Sequence, residues 1–130
     1  NKLAGKLGAM RSAYYAKKYD IAVEEANKVL NTGGLLPQQN VEGKSIRAKS
    51  LFETNRKDEA ITDLKYLTKN AKSELGAEAY YMLAQIQFEK KDYKEVEKTV
   101  NSLFNYPYST SSLFINRYTN TDVRSTIITC

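Results

Sequence analysis

The chain has 130 residues, of which 42% are hydrophobic and 27% charged, so it can fill one compact domain, has little room for two and is not a disordered segment. Lys and Arg number 20 against 15 Asp and Glu, giving a formal charge of +5 that is spread along the chain. Without a dense basic run, this distribution is typical of a solvated face and argues against nucleic-acid binding.

The residue inventory also restricts catalysis. The chain has no His, which removes the usual general base, the commonest metal ligand and the Ser-His and Cys-His nucleophile pairs. The single Cys, Cys130, is the last residue and can form neither an internal disulfide nor a zinc cluster. We therefore expect no enzyme activity, no cofactor and no metal site. We also expect no membrane span, because no apolar run approaches the roughly 18 residues that a span requires.

Hydrophobic periodicity predicts helices along most of the chain, because apolar residues recur at intervals of three and four. Breaks fall at Gly33-Gly34 followed by Pro37, at Asn55 to Asp58, at Ser73 to Gly76, at Lys90 to Asp92 and at Asn105 to Pro107. The pattern predicts an all-α protein of six helices, near residues 2–16, 20–31, 40–54, 58–71, 76–90 and 93–105.

The six helices show an internal period. When the chain is aligned on Ala22, Ala60 and Val96, which are 38 and 36 residues apart, similar residues recur around each. Eight residues upstream stand the aromatic side chains Tyr14, Phe52 and Phe88, and seven residues downstream stand the aliphatic side chains Val29, Leu67 and Leu103. Three residues upstream, Tyr19 and Tyr93 match, whereas Lys57 breaks the set.

This period resembles the tetratricopeptide repeat, a helical hairpin of about 34 residues with alternating small and large positions where its helices pack. The third copy carries the resemblance most clearly, in the run Ala77 to Ala84 and in the turn Lys91 to Val96. The chain departs from the pattern where Met10 replaces a small residue, where Arg47 takes the usual Leu position and Lys44 the usual aromatic one, and where Gln87 replaces a large residue.

The resemblance implies three hairpins, about 1–38, 39–74 and 75–108, in a right-handed α–α superhelix. An ordinary six-helix bundle stays open as the alternative. For the tail, residues 109–130, the start of a further helix and an irregular segment both stay open.

In tetratricopeptide proteins the first helices line the concave side of the stack, so the resemblance also places candidate partner-binding residues. These are Arg11, Tyr15, Lys49, Glu53, Tyr81, Gln85 and Glu89. They do not match the Lys, Asn and Arg set with which some members clamp a chaperone's terminal carboxylate. A mixed aromatic and polar groove for an extended or helical peptide fits better.

Other motifs give no chemistry. Gly43-Lys44-Ser45 matches the end of a phosphate-binding loop, but the position that should hold the first Gly is Gln38, and no strand precedes it. The paired carboxylates fall near the starts of second helices, where the helix dipole favours acidic residues.

The leading hypothesis is a non-catalytic scaffold or adaptor that binds another protein or peptide on its concave face. A second hypothesis is a structural spacer or assembly segment of a longer repeat protein. In that case Leu113 to Ile115 would pack against a following repeat, and the isolated chain would self-associate through its last hairpin. A third is a basic surface for RNA or anionic lipid. The third repeat is similar to bacterial tetratricopeptide proteins, several of which work in the cell envelope, so the compartment stays open between envelope and cytoplasm.

Overall fold

The computed structural model describes residues 2–107, which fold into six α-helices. In chain order they are α1 (Lys2–Tyr15), α2 (Tyr19–Leu30), α3 (Pro37–Glu53), α4 (Lys57–Asn70), α5 (Glu74–Glu89) and α6 (Tyr93–Phe104). The prediction of an all-α protein is confirmed for this part of the chain, and each predicted helix is present within a few residues of its expected ends. The predictions for the tail, residues 109–130, lie outside the described residues.

The chain divides into two compact units, with the boundary between Leu64 and Lys65 inside α4. In the first unit α1 packs on α2, α2 packs on α3, and α1 also meets α3. In the second unit α5 packs on α6.

The turns that join α1 to α2, α3 to α4 and α5 to α6 share one backbone geometry. Each contains a non-glycine residue with positive φ: Lys17 at 61°, Asn55 at 64° and Lys91 at 61°. In each turn the next backbone N–H donates to the carbonyl five residues earlier, which is the long bond of a Schellman helix end. These bonds run from Lys18 to Ala13, from Arg56 to Leu51 and from Asp92 to Gln87, at 2.9, 2.8 and 3.0 Å. The three positive-φ residues are 38 and 36 residues apart, so the sequence period reappears in the backbone.

The same turns also repeat a side-chain contact. Tyr14 packs edge-to-face on Tyr19 with ring centroids 6.2 Å apart, and Phe88 packs on Tyr93 in the same way at 5.8 Å. In the middle copy the Lys57 Nζ lies 4.7 Å from the centre of the Phe52 ring. Lys57 departs from the aromatic pattern in type but keeps the contact, because an ammonium group is attracted to the face of an aromatic ring.

The core of the first unit forms where α1, α2 and α3 meet. Its buried members are Leu7, Met10, Ala13, Ala22, Ala26, Val29 and Ile46. Met10, which stands where the repeat pattern has a small residue, has no exposed surface. α2 and α3 approach closely at Gly43, where an added Cβ would lie 2.9 Å from Leu30 Cδ2. Glycine at position 43 therefore leaves room for the Leu30 side chain between these two helices.

The core of the second unit forms between α5 and α6, around Ala77, Tyr81 and Leu103 and around Ala84, Val96 and Val100. Tyr106 closes one end, since its hydroxyl donates to the backbone carbonyls of Ala71 and Ser73. Its ring lies over Gly76, where an added Cβ would be 2.6 Å from Tyr106 Cζ. Ser73 begins α5 by accepting the Leu75 N–H on its hydroxyl at 3.2 Å, the usual role of an N-cap serine.

Candidate functional site

Two of the candidate binding residues, Arg11 and Tyr15, lie on one side of α1. They are four residues apart, so their side chains emerge from adjacent turns of the helix. Tyr15 is 77% exposed, and its ring packs edge-to-face against Tyr14, with centroids 5.4 Å apart. An exposed tyrosine that is already held by a neighbour offers a large contact area at a low cost in conformational entropy.

Arg11 is joined to α3 through Glu42. Its Nε and Nη2 donate to Glu42 Oε2 and Oε1, both at 2.7 Å, in a two-pronged ion pair. The hydrogen bond with Glu42 raises the pKa of Arg11 above its ordinary value. About half of the Arg11 side chain is exposed, so the pair orients the guanidinium group without removing it from water. A partner would meet an arginine that is already positioned.

Lys49 and Glu53 continue this surface along α3. They follow Glu42 by 7 and 11 residues, which places all three on one side of a helix with 3.6 residues per turn. Lys49 is half-buried and Glu53 is exposed. We call the surface formed by Arg11, Tyr15, Glu42, Lys49 and Glu53 the α1–α3 face. It presents an aromatic ring beside charges of both signs.

The remaining candidates, Tyr81, Gln85 and Glu89, lie on α5 in the second unit. Tyr81 is 6% exposed because it packs with Ala77 and Leu103 in the core. Gln85 is half-buried and Glu89 is exposed. A direct role of these three residues in binding stays a prediction, and Tyr81 offers a partner little surface.

A second polar cluster connects three helices of the first unit. Its only sign in the sequence is Arg47, which stands where the repeat usually has Leu. Arg47 on α3 donates from Nε and Nη2 to Asp63 on α4, at 2.7 Å each, and from Nη1 to the side-chain oxygen of Asn27 on α2 at 2.8 Å. Asp63 is 2% exposed, and its hydrogen bond raises the pKa of Arg47. This cluster is buried on the carboxylate side and joins α3 to α2 and α4, so it offers a partner little surface.

Sequence reasoning located Arg11 but missed its partner Glu42, and it noted Arg47 without finding Asp63 or Asn27. The signal for the second set was present, because an arginine at a position that usually holds leucine requires a buried acceptor nearby. No comparable signal marks Glu42, which occupies an ordinary polar position on α3.

Two kinds of feature are absent from the described residues. Within residues 2–107, no helix is both long and apolar enough to cross a lipid bilayer. The same part of the chain contains no group of three or more acidic or Cys side chains placed to hold a metal ion.

Comparison of the chain with protein-family models, with curated proteins and with solved structures gave no match. The resemblance to tetratricopeptide repeats therefore depends on this chain's own residues.

Proposed function

We propose that the chain is a non-catalytic interaction module built from three tetratricopeptide-like hairpins in a right-handed superhelix. Three turns of one geometry, 38 and 36 residues apart, support this proposal, as does the packing contact that recurs beside each of them. The period in the sequence and the period in the backbone coincide, which an ordinary bundle has no reason to produce.

The binding surface that we propose is the α1–α3 face, and its ligand is an extended or helical peptide segment of another protein. The observation that carries the proposal is the pairing of a 77% exposed Tyr15 with an arginine oriented by Glu42 on the neighbouring helix. Tyr and Arg are the residues most enriched among those that dominate binding energy in protein interfaces. The absence of His from the sequence agrees with a binding role rather than acid–base chemistry.

The experiment is a selection of binding peptides from a random displayed library, followed by affinity measurement with the full chain and three variants. For peptides that bind the proposed face, Tyr15→Ala and Arg11→Ala each weaken binding by about tenfold or more. Ile21→Ala is the control, because Ile21 is a half-exposed apolar residue on α2, outside the α1–α3 face. Circular dichroism verifies that each variant keeps its helices.

The proposal is wrong if no peptide is selected, or if the selected peptides bind the Tyr15 and Arg11 variants as tightly as the original chain. A ligand sensitive only to Ile21→Ala would likewise place the binding surface on α2.

A further inference from the structure

The contact between α2 and α3 has two complementary parts. Leu30 projects from α2, and Gly43 on α3 receives it, since an added Cβ at position 43 would lie 2.9 Å from Leu30 Cδ2 and 3.1 Å from its Cγ. A second polar contact lies beside it, from Arg47 on α3 to Asn27 on α2. These contacts join the second helix of one hairpin to the first helix of the next.

The positions equivalent to these two parts recur at the opposite ends of the described chain. Two periods after Leu30 stands Phe104, at the end of α6, and one period before Gly43 stands Gly5, near the start of α1. Phe104 is 57% exposed, and no atom lies within 4 Å of the place where a Cβ would be added at Gly5. Within residues 2–107, Phe104 is therefore more than half exposed and Gly5 has open space beside it, whereas Leu30 and Gly43 pack against each other.

The surroundings of both positions agree with this equivalence. On α1, small exposed residues flank Gly5 along one side of the helix, namely Gly8, Ala9 and Ser12. No atom lies within 4 Å of an added Cβ at Gly8 either, so nothing that surrounds it in the described residues requires glycine there. Exposed glycine weakens a helix relative to alanine, but its lack of a Cβ allows another helix to approach closely.

The charged side chains near the two positions include one opposite pair. On α1 the basic residue Lys2 lies three residues before Gly5, on the same side of the helix. On α6 the exposed residues Glu97 and Asn101 lie on the same side as Phe104, at spacings of four and three residues, with the basic residue Lys94 three residues before Glu97. Asn101 is the equivalent of Asn27.

We infer that copies of the chain associate head to tail, with Phe104 on α6 of one copy packing against Gly5 on α1 of the next. The contact reuses the packing of Leu30 on Gly43 between two molecules instead of within one. Because the two surfaces differ, the interface is heterologous and each copy keeps one free end, so association continues into rings or filaments. The inference depends on the internal equivalence of the helices and is independent of peptide binding at the α1–α3 face.

The test is sedimentation velocity on the full chain over a range of concentrations up to millimolar, with two variants that each remove one half of the contact. Phe104→Glu removes the projecting ring, and Gly5→Gln fills the receiving position with a strong helix former that meets no neighbour within its own chain. We expect the unaltered chain to show a sedimentation coefficient that rises with concentration, and each variant to associate at least about tenfold more weakly. Ile21→Glu, which places the same charge on another exposed apolar residue, leaves association unchanged.

Mixing the two variants gives the decisive result. The Gly5→Gln copy retains Phe104 and the Phe104→Glu copy retains Gly5, so one intact interface forms between them and the mixture contains dimers that neither variant forms alone. Growth stops at the dimer because both outer ends are blocked.

Three outcomes would overturn the inference. A chain that stays monomeric at all concentrations would mean that the two surfaces do not bind each other. Equal association of Ile21→Glu and Phe104→Glu would place the contact elsewhere. A mixture without dimers would indicate a symmetric contact in place of the head-to-tail one. Circular dichroism verifies the fold of each variant, and Gly5→Gln keeps the test decisive if Phe104→Glu unfolds.

Discussion

The helix pairs α3–α4 and α5–α6 both bury a polar residue at the same position of the second helix, but its partner comes from different positions of the first helix. In α3–α4 the pair is ionic, from Arg47 to Asp63. In α5–α6 the residue equivalent to Arg47 is the buried Leu83, and the residue equivalent to Asp63 is Thr99, whose hydroxyl donates to Gln87 at 2.7 Å. Both departures from the repeat pattern, Arg47 and Gln87, are thus matched by a partner on the second helix. A repeat position tolerates a polar residue when the opposite helix supplies its hydrogen-bond partner.

The largest effect is expected from removing the acidic half of the ionic pair. Asp63→Ala leaves Arg47 without its carboxylate partner, although about three-quarters of the Arg47 side chain is buried. We expect the free energy of unfolding to fall by about 3 kcal/mol, the lower part of the range for breaking a buried pair, because Arg47 still reaches solvent. Urea denaturation of the full chain measures this change.

Glu42→Ala is the matched control for that experiment. It breaks an ion pair of the same two-pronged geometry, but with Arg11, which is about half exposed. We expect a much smaller loss than for Asp63→Ala, because water screens an exposed ion pair. Equal losses in the two variants would contradict the claim that burial distinguishes the pairs.

The second prediction removes both halves of the buried pair at once. The double variant Arg47→Leu with Asp63→Val puts at position 47 the Leu that α5–α6 has at the equivalent position 83, and it leaves no polar group at position 63, where Leu51 stands in place of the Gln87 that satisfies Thr99. We expect its free energy of unfolding to lie within about 1 kcal/mol of the original, because replacing a buried ion pair as a unit is often neutral. Denaturation of the double variant and both single variants completes the thermodynamic cycle. Losses that simply add would show that the two positions are not coupled.

Much of the architecture could be predicted from the sequence, because helices and turns depend on local patterns. The three- and four-residue spacing of apolar side chains gave the six helices, and the period around Ala22, Ala60 and Val96 marked the positions where the turns repeat. Lys57 shows the limit of residue matching, since the structure keeps the contact with Phe52 through a different interaction.

The polar contacts between helices could not be predicted in the same way. The pairs Arg11–Glu42 and Arg47–Asp63 join residues 31 and 16 positions apart on different helices, and their meeting depends on the register in which those helices pack. The same reason explains Tyr81, which was expected on a binding face but is mostly buried, because its environment depends on how α6 packs on α5.

The third prediction concerns the neutral pair. Thr99→Val keeps the shape of the buried side chain and removes the hydrogen bond to Gln87. We expect a loss of about 1 kcal/mol in the free energy of unfolding, since Gln87 is only half-buried and can bind water instead. Urea denaturation beside Asp63→Ala measures the ratio of the two effects. A loss from Thr99→Val as large as that from Asp63→Ala would mean that charge adds nothing to the cost of losing a partner.

The smallest effect is expected at the exposed pair that begins α4, where Arg56 donates to both oxygens of Glu59. The hydrogen bond from Arg56 lowers the pKa of Glu59 below its ordinary value.

A carboxyl group whose pKa is lower in the folded state stabilises the fold at pH values above its unfolded-state pKa. That stabilisation disappears as the pH falls through the folded-state pKa. Glu59→Gln should therefore make the free energy of unfolding slightly less dependent on pH in the acid range, and added salt should reduce this difference because the pair is in water. Denaturation at a series of pH values, with and without salt, measures it. A steeper pH dependence of the free energy of unfolding in Glu59→Gln would contradict the assignment of this pair as stabilising. The expected effect is small because the pair is exposed, which is the same difference in burial that separates Asp63 from Glu42.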